Sequence, residues 1–486
     1  VLLGRAVAEV DVVVADEAEA FAAAAAAALE THAVKLDERI GVYRLPLADG
    51  HIDIVARVGD LADDLARRDF TINALAYALS RLPPAGLDAL DRDRVVDQHD
   101  GLRDLQNGLV RMTGPTVLRD DPVRALRAIR FVTELGFQLD AETREAMGQI
   151  AAQLGGVAAE RVEGELSRVF SAERASAGVE LMDASGLLSV CFPELDAGRG
   201  IEQRPHHQYD VFGHQLAALR WIDNLLCSAP PADEPAASLW SGLWRAHDWR
   251  HSRWGDVREH LQRNSMALRL AVLLHDIGKP ATRSIEEDGR TRFFGHSGLG
   301  ATMARDALKR WRFPSAVIER VALLIDQHLR PGQIASPGEP PTVRALHRFQ
   351  RAVGDATPDL CWLFLADSLA TAGAGRLGPR WGAYVAHVHR IVTWEPPEEA
   401  RRLQRLVDGR AVMAAAGIGP GPLVGRILRA VEEAAATGEV ASQAEALALA
   451  AALAKQLGGS AEGATPSASA ATMRPGRSQR REDDRV

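Results

Sequence analysis

A chain of 486 residues, 47% hydrophobic and 25% charged, has the make-up of an ordinary soluble globular protein, long enough for about three domains, and no stretch reaches the length of a membrane span. A net charge of −8 does not advertise nucleic-acid binding, so a polyanionic partner would have to be met by local basic patches, for which the arginines near 67, 124 and 401 are available. Three widely separated cysteines, Cys191, Cys227 and Cys361, fit reduced thiols in a cytoplasm and give no zinc or disulfide pattern.

In chain order, valine-rich Val10 to Val14 predicts a strand. The alanine run Ala22 to Ala28, bounded by Glu19 and Glu30, predicts a helix rather than a signal peptide. Gly41 to Leu45 and Ile52 to Val55 read as further strands, and the apolar segment Ile72 to Leu79 as a helix. From about Val117 to Leu195 the apolar spacing is helical. Pro205 to about Thr371 is helical too and concentrates the histidines. Within it, Ala229 to Asn264 reads as an insertion, opened by Pro230, Pro231 and Pro235 and studded with Trp240, Trp244, Trp249 and Trp254. Packing is the expected role of those rings, with a grip on a partner as the rival. Ala400 to Gln456 forms another helical unit. After Gly458 the chain turns to Ser, Ala, Gly, Pro and Arg, which reads as disordered.

Several stretches carry chemistry. Glu9 and Asp11 stand two apart on the first strand and so share a face, the spacing that paired metal ligands need. Alone, such a pair is better read as a solvated strand face. Asp53, on a later strand, is a candidate third carboxylate. Arg67-Arg68-Asp69-Phe70-Thr71-Ile72-Asn73-Ala74 places two guanidiniums, forks suited to phosphate oxygens, before an apolar run. Asp121-Pro122 reads as an N-cap followed by proline at the first helical position. Asp121 and Arg124 are then neighbours three apart, offering an acceptor and a donor to a base edge or, more blandly, a surface ion pair. His275-Asp276-Ile277-Gly278-Lys279 can present two ligands to one divalent ion, and His214 before it and His296, His328 and Asp367 after it are candidates to complete a set.

The eight residues from Arg67, together with Asp120-Asp121-Pro122-Val123-Arg124-Ala125-Leu126-Arg127-Ala128-Ile129-Arg130-Phe131, resemble the signature of the class II tRNA nucleotidyltransferases, the family of CCA-adding enzymes and bacterial poly(A) polymerases. Asp97 to Leu105 with Arg111 resembles the family's hinge, and Glu160 to Leu166 its last motif, expected to be more structural than chemical. His275-Asp276 resembles the core of an HD domain. The resemblance covers about residues 1 to 456. It implies an α+β fold: a small mixed α/β, polymerase-beta-like head (1–112), an all-α neck (113–200), an HD body (201–372) and a C-terminal helical tRNA-binding region (373–456); the insertion (229–264) and the disordered tail (457–486), read from composition, fall outside it.

The same resemblance implies Mg²⁺ on Glu9 and Asp11 with Asp53 as the third catalytic carboxylate. It implies phosphate and sugar contacts from Arg67, Arg68, Asp69 and Asn73, and base selection by Asp121 and Arg124 on a helix continued by Arg127 and Arg130. A second divalent ion is implied on His214, His275, Asp276 and Asp367, with His296 and His328 in reserve. Partners would be tRNA, CTP and ATP, with no membrane, in the cytoplasm. Two departures stand out: Glu9 and Asp120 replace the family's Asp and Glu. The family's Gly-Gly-x-x-Arg-Asp phosphate cradle precedes the Leu2-Leu3-Gly4-Arg5 equivalent. This chain starts at Val1, without Met, and so reads as a fragment or a start set too far downstream. The rival readings are a poly(A) polymerase or a partial CC- or A-adding enzyme of the same family, an HD phosphohydrolase with a degenerate polymerase half, and a tRNA-binding protein without chemistry.

Overall fold

The computed structural model describes residues 2–4, 9–37, 41–57, 59–83, 86–203, 208–250, 255–287 and 290–459. Arg5, Trp254 and residues 460–486 of the expected tail lie outside the described residues. The chain divides into two compact units, one of residues 1–340 and 353–393, the other of 341–352 and 394–486.

The first unit opens with a four-stranded sheet: β1 (Glu9–Val14), β2 (Val34–Asp37), β3 (Val42–Leu47) and β4 (Gly50–Ala56), in the order β1-β4-β3-β2. β1 runs parallel to β4, and the other pairs are antiparallel. Alternation sorts the side chains. Val12, Tyr43, Leu45 and Ile54 are buried against Ala18, Ala22 and Ala26 of the alanine-rich helix Ala18–Ala28. The opposite face carries Glu9, Asp11 and Asp53, with Asp11 level with Asp53 across the β1–β4 pair. Small alanines let that helix lie close on one face, which leaves the acidic face free.

Ile72 to Leu79 is not the helix that its apolar content suggested. Thr71–Asn73 makes one 3₁₀ turn, and Leu75–Ala76 pairs with Val96–Asp97. Local hydrogen bonds outcompete helix propensity here: Asp69 Oδ1 accepts from Phe70 N at 2.8 Å and from Asn73 Nδ2 at 3.1 Å. The following helix, Gly101–Asn107, is capped by Asp97, whose carboxylate accepts from the amides of His99, Gly101 and Leu102.

The neck is built on helices Arg124–Leu135 and Ala159–Ser171. Leu126, Ile129, Val162, Leu166 and Val169 are buried between their neighbours. Phe131 of the neck meets Phe70 of the head edge to face at 5.8 Å. The histidine-rich body uses helices Val211–Leu226, Ser265–Leu274, His296–Arg310, Ser315–Gln327 and Thr357–Ala372. The insertion packs on this body. Indole N–H groups of Trp240, Trp244 and Trp249 donate to the carbonyls of Cys227, Leu225 and Leu243, so these rings are anchors. The second unit has its own core, including Val412, Ile427, Val431, Ala446 and Ala450. Among the described residues no helix is long and apolar enough to cross a membrane.

Candidate active site

A cleft of about 1150 Å³ lies between head and neck, within the first unit. Its walls include Glu9, Asp11, Arg67, Arg68, Asp69, Asn73, Asp121, Arg124, Arg127 and Arg130. Ten residues singled out from sequence therefore face one cavity, although they come from three separate stretches.

At the head end, each candidate metal carboxylate faces a guanidinium. Arg68 Nη1 lies 3.3 Å from Asp11 Oδ2, and Arg168 Nη2 lies 3.3 Å from Glu9 Oε1. Asp53 does not line the cleft. It accepts two hydrogen bonds from Arg44 on β3, at 2.8 and 2.7 Å. The bond from Arg44 holds its carboxyl below the usual range, against the opposing pull of burial. The donor set is oxygen-only and negatively charged, which suits Mg²⁺.

The Arg67–Asn73 run is braced from behind. Asp104, buried, accepts from Thr71 Oγ1 at 2.7 Å and from Arg111 Nε at 2.8 Å. Gly101 lets the helix start against this turn, since a Cβ there would sit 2.1 Å from the Thr71 carbonyl oxygen. Arg67 and Arg68 reach Asp64 at 3.1 and 3.5 Å. Asp69 is a joint between head and neck, with Arg127 Nε 3.0 Å from its Oδ2.

Asp121 does not cap the Arg124 helix as its position before Pro122 suggested. The residue at the N-cap is Val123, without a side-chain bond. The Asp121 carboxylate turns instead to Arg161 Nη2 at 2.6 Å. The Asp121-Pro122 backbone supplies only turn carbonyls, to the amides of Arg124 and Ala125. Arg124 donates to the carbonyls of Val117 and Arg67, both at 3.2 Å. Arg130 is buried and held by Glu165 at 2.8 Å and Glu134 at 3.2 Å. The helix Ala159–Ser171, expected to be a buttress, lines the cleft with Glu160, Arg161, Gly164, Glu165 and Arg168.

A second cluster lies in the body. His275, at the end of Ser265–Leu274, has Nδ1 2.8 Å from Val272 O; His328, at the end of Ser315–Gln327, has Nδ1 2.7 Å from Ile325 O; and His296 Nδ1 is 2.7 Å from Phe293 O. A carbonyl only accepts, so each Nδ1 carries its proton, and in the neutral ring Nε2 keeps a lone pair for a metal. Those Nε2 atoms face one another: His214 and His275 at 3.2 Å, His296 and His328 at 3.3 Å. Asp276 stands between the pairs, Oδ2 3.1 Å from His275 and Oδ1 3.5 Å from His296. Neither buried oxygen of Asp276 makes a well-angled hydrogen bond, and Asp367 Oδ1 is 3.0 Å from His214 Nε2. Ring nitrogens and carboxylates converging within reach of one another fit a divalent cation.

Burial pushes the Asp276 carboxyl up, but His275 and Lys279 overcome it and leave it well below the usual range. Burial lowers the His275 pKa, and Asp276 more than reverses that. Burial, reinforced by His275, takes His328 down to about 4, so its ring stays neutral at physiological pH. Gly278 is required by contact: a Cβ would lie 2.2 Å from His296 O. Lys279, which the sequence reading did not single out as a site residue, reaches Asp276 Oδ2 at 2.7 Å and Gln203 Oε1 at 2.6 Å. Arg44, Arg161 and Arg168 were missed likewise, since their partners are 9, 40 and 159 residues away.

Three family models match this chain: the poly A polymerase head domain over residues 49–111, the probable RNA and SrmB-binding site of polymerase A over 136–198, and the HD domain over 250–372. The A-adding tRNA nucleotidyltransferase of Deinococcus radiodurans is 35% identical over 87% of this chain and 87% of its own length. The CC-adding tRNA nucleotidyltransferase of Thermus thermophilus is 33% identical over 92% of this chain and 89% of its own. This chain belongs to the tRNA nucleotidyltransferase/poly(A) polymerase family, with an HD domain. Its fold agrees. A CCA-adding enzyme solved with ATP superposes with a TM-score of 0.56 at 19% identity, covering 94% of this chain and 88% of that one. The Bacillus stearothermophilus CCA-adding enzyme with CTP gives 0.54 at 21% identity, covering 95% and 92%. Family membership makes the head–neck cleft the place to look for nucleotidyl transfer, and the histidine cluster the HD centre.

Proposed function

We propose that this protein is a cytoplasmic tRNA 3′-end nucleotidyltransferase that adds C, A or both from CTP and ATP. The observation that carries the reading is the shared cleft. Glu9 and Asp11 line one end, Arg67 and Arg68 lie beside them, and Asp121 and Arg124 line the same cavity from the neck. Mg²⁺ on Glu9 and Asp11, with Asp53 level with Asp11, would supply Lewis acidity at the reacting phosphate and favour the ionised tRNA hydroxyl. Arg67 and Arg68 neutralise the triphosphate. Asp121 accepts from the exocyclic amine that C and A share, and Arg124 donates to a ring nitrogen or carbonyl. The tRNA 3′ oxygen then bonds to the α-phosphorus, the bond to the bridging oxygen breaks, and pyrophosphate leaves.

The relatives named as A-adding and CC-adding favour a partial enzyme over a complete CCA-adding one. The test offers purified protein two tRNAs, one ending before CCA and one ending after CC, with each NTP separately. An A-adding enzyme extends only the second, with ATP; a CC-adding enzyme extends only the first, with CTP. Incorporation of neither C nor A into either tRNA refutes the proposal.

A second activity is favoured by the paired Nε2 atoms. One or two divalent ions on His214, His275, Asp276 and Asp367, and on His296 and His328, would serve hydrolysis of a phosphate ester. Purified protein free of bound transition metal, and inert to 2′,3′-cyclic and terminal phosphates with added metal, would remove this reading.

A further inference from the structure

Asp121 and Arg124 are opposite charges three residues apart, an arrangement that ordinarily closes into an ion pair. Here the pair is only a long one, with Arg124 Nε 3.9 Å from Asp121 Oδ2. Each is engaged elsewhere: Asp121 Oδ2 takes a 2.6 Å hydrogen bond from Arg161, and Arg124 spends two donors on the carbonyls of Val117 and Arg67. Had the two closed on each other, the acceptor and the donor that a base edge must meet would be consumed together.

The helix that carries Arg161 is fixed against the one that carries Arg124. Glu165, one turn on, binds largely buried Arg130 at 2.8 Å and lies 3.8 Å from Arg127. Arg161 therefore projects from a braced support, although its own side chain is about half exposed. Asp121 Oδ1 accepts no hydrogen bond among the described residues.

We propose that Arg161 is a positioning residue for base selection. It draws the Asp121 carboxylate away from Arg124 and keeps one carboxylate oxygen open for the amine of C or A. The proposal rests on the reading of Asp121 and Arg124 as base selectors. Loss of Arg161 lets Asp121 swing onto Arg124, and the selector neutralises itself.

The experiment measures equilibrium binding of CTP, ATP, UTP and GTP to the full chain. The variants are Arg161→Ala, Arg161→Lys, Arg124→Ala and the double alanine variant, with thermal unfolding as the check on folding. Arg161→Ala should reduce the preference for CTP and ATP over UTP and GTP about tenfold, the scale of one buried hydrogen bond left unmade. Binding of inorganic tripolyphosphate should not change. Lysine can make a single charged hydrogen bond and should restore most of the preference. Adding Arg161→Ala to Arg124→Ala should change nothing more, because both act through one pair. If Arg161→Ala weakens all four nucleotides equally, or leaves the preference intact while Arg124→Ala abolishes it, Arg161 is only a strut and the proposal falls. If neither single variant alters the preference, the base-selector reading itself falls. Should Arg161→Ala fail to fold, Arg161→Lys and Arg161→Gln carry the same comparison, and a preference lost equally in both overturns the requirement for charge.

Discussion

Replacing Gly101 by alanine should damage the cleft from outside it. The added Cβ would sit 2.1 Å from Thr71 O, 2.9 Å from the Thr71 carbonyl carbon and 3.0 Å from Leu75 Cδ2. An ordinary carbon–oxygen contact of about 3.3 Å then requires a displacement of about 1.2 Å. No flexible side chain can absorb it, because the obstacle is backbone. Thr71 is also pinned, its amide to Arg111 O at 2.9 Å and its hydroxyl to Asp104 at 2.7 Å. The cost should be about 3 kcal/mol, the upper end of overpacking penalties. The shift is passed to Asp69 and Arg68, and a misplacement of about 1 Å in a positioning group costs about 100-fold in rate. Urea unfolding and single-turnover incorporation of the preferred nucleotide measure both effects. Gly148, where a Cβ meets nothing within 4 Å, is the control: its alanine variant should gain up to about 1 kcal/mol from helix propensity. A Gly101→Ala protein within about 0.5 kcal/mol of wild type and fully active would refute the argument.

Asp11→Ala should cut incorporation by about 1000-fold or more, from the loss of several kcal/mol of charge stabilisation, and leave the melting temperature unchanged because Asp11 is 63% exposed; an unchanged rate rules out the metal assignment. Asp276→Ala should strip divalent metal from the purified protein, read by elemental analysis, while nucleotide addition persists; simultaneous loss of both in a folded variant would show that the two centres are not independent. The insertion should loosen in acid. His247 stacks on His389 at 4.3 Å, and burial, with His389 second, lowers the His247 pKa below its ordinary value of about 6.5. The neutral stack therefore contributes fully above about pH 6.5, and its contribution is lost as pH falls below that, when two like charges would meet. Tryptophan emission followed from pH 7.5 to 5 should change in wild type and much less in His247→Phe; equal titrations would exclude the stack as the cause.

The head, neck and histidine body were legible because their residues occur in ordered local runs. Valine richness located β1, and the spacing of Glu9 and Asp11 put both on one face of it, which the structure leaves open. The arginine run and the Asp121–Arg124 stretch were found as strings, and the structure brings both to one cavity. What strings could not show was engagement through space. Nothing near Asp53 in the chain says that Arg44 takes both its oxygens, because that pairing follows from the β3–β4 register. Nothing near Arg161 and Arg168 in the chain marks Asp121 and Glu9 as their partners, which only the fold brings to them. The two local errors share a cause. Ile72–Leu79 and Asp121-Pro122 were judged on propensity, whereas Asp69 with Asn73 and Arg161 with Asp121 spend those polar groups on tertiary or turn contacts.

The bond from Arg124 to the carbonyl of Arg67 has a consequence for fidelity. In the proposed roles, one end of that hydrogen bond belongs to the residue that would meet the base, the other to the backbone of a residue that would meet the phosphates. Asp69 and Arg127 form a second tie across the same seam. Opening that seam would therefore loosen the proposed triphosphate and base contacts together. In that reading, a nucleotide whose base is not held leaves as the seam opens. Rejection then needs no hydrolytic correction, only an opening of the seam faster than bond formation.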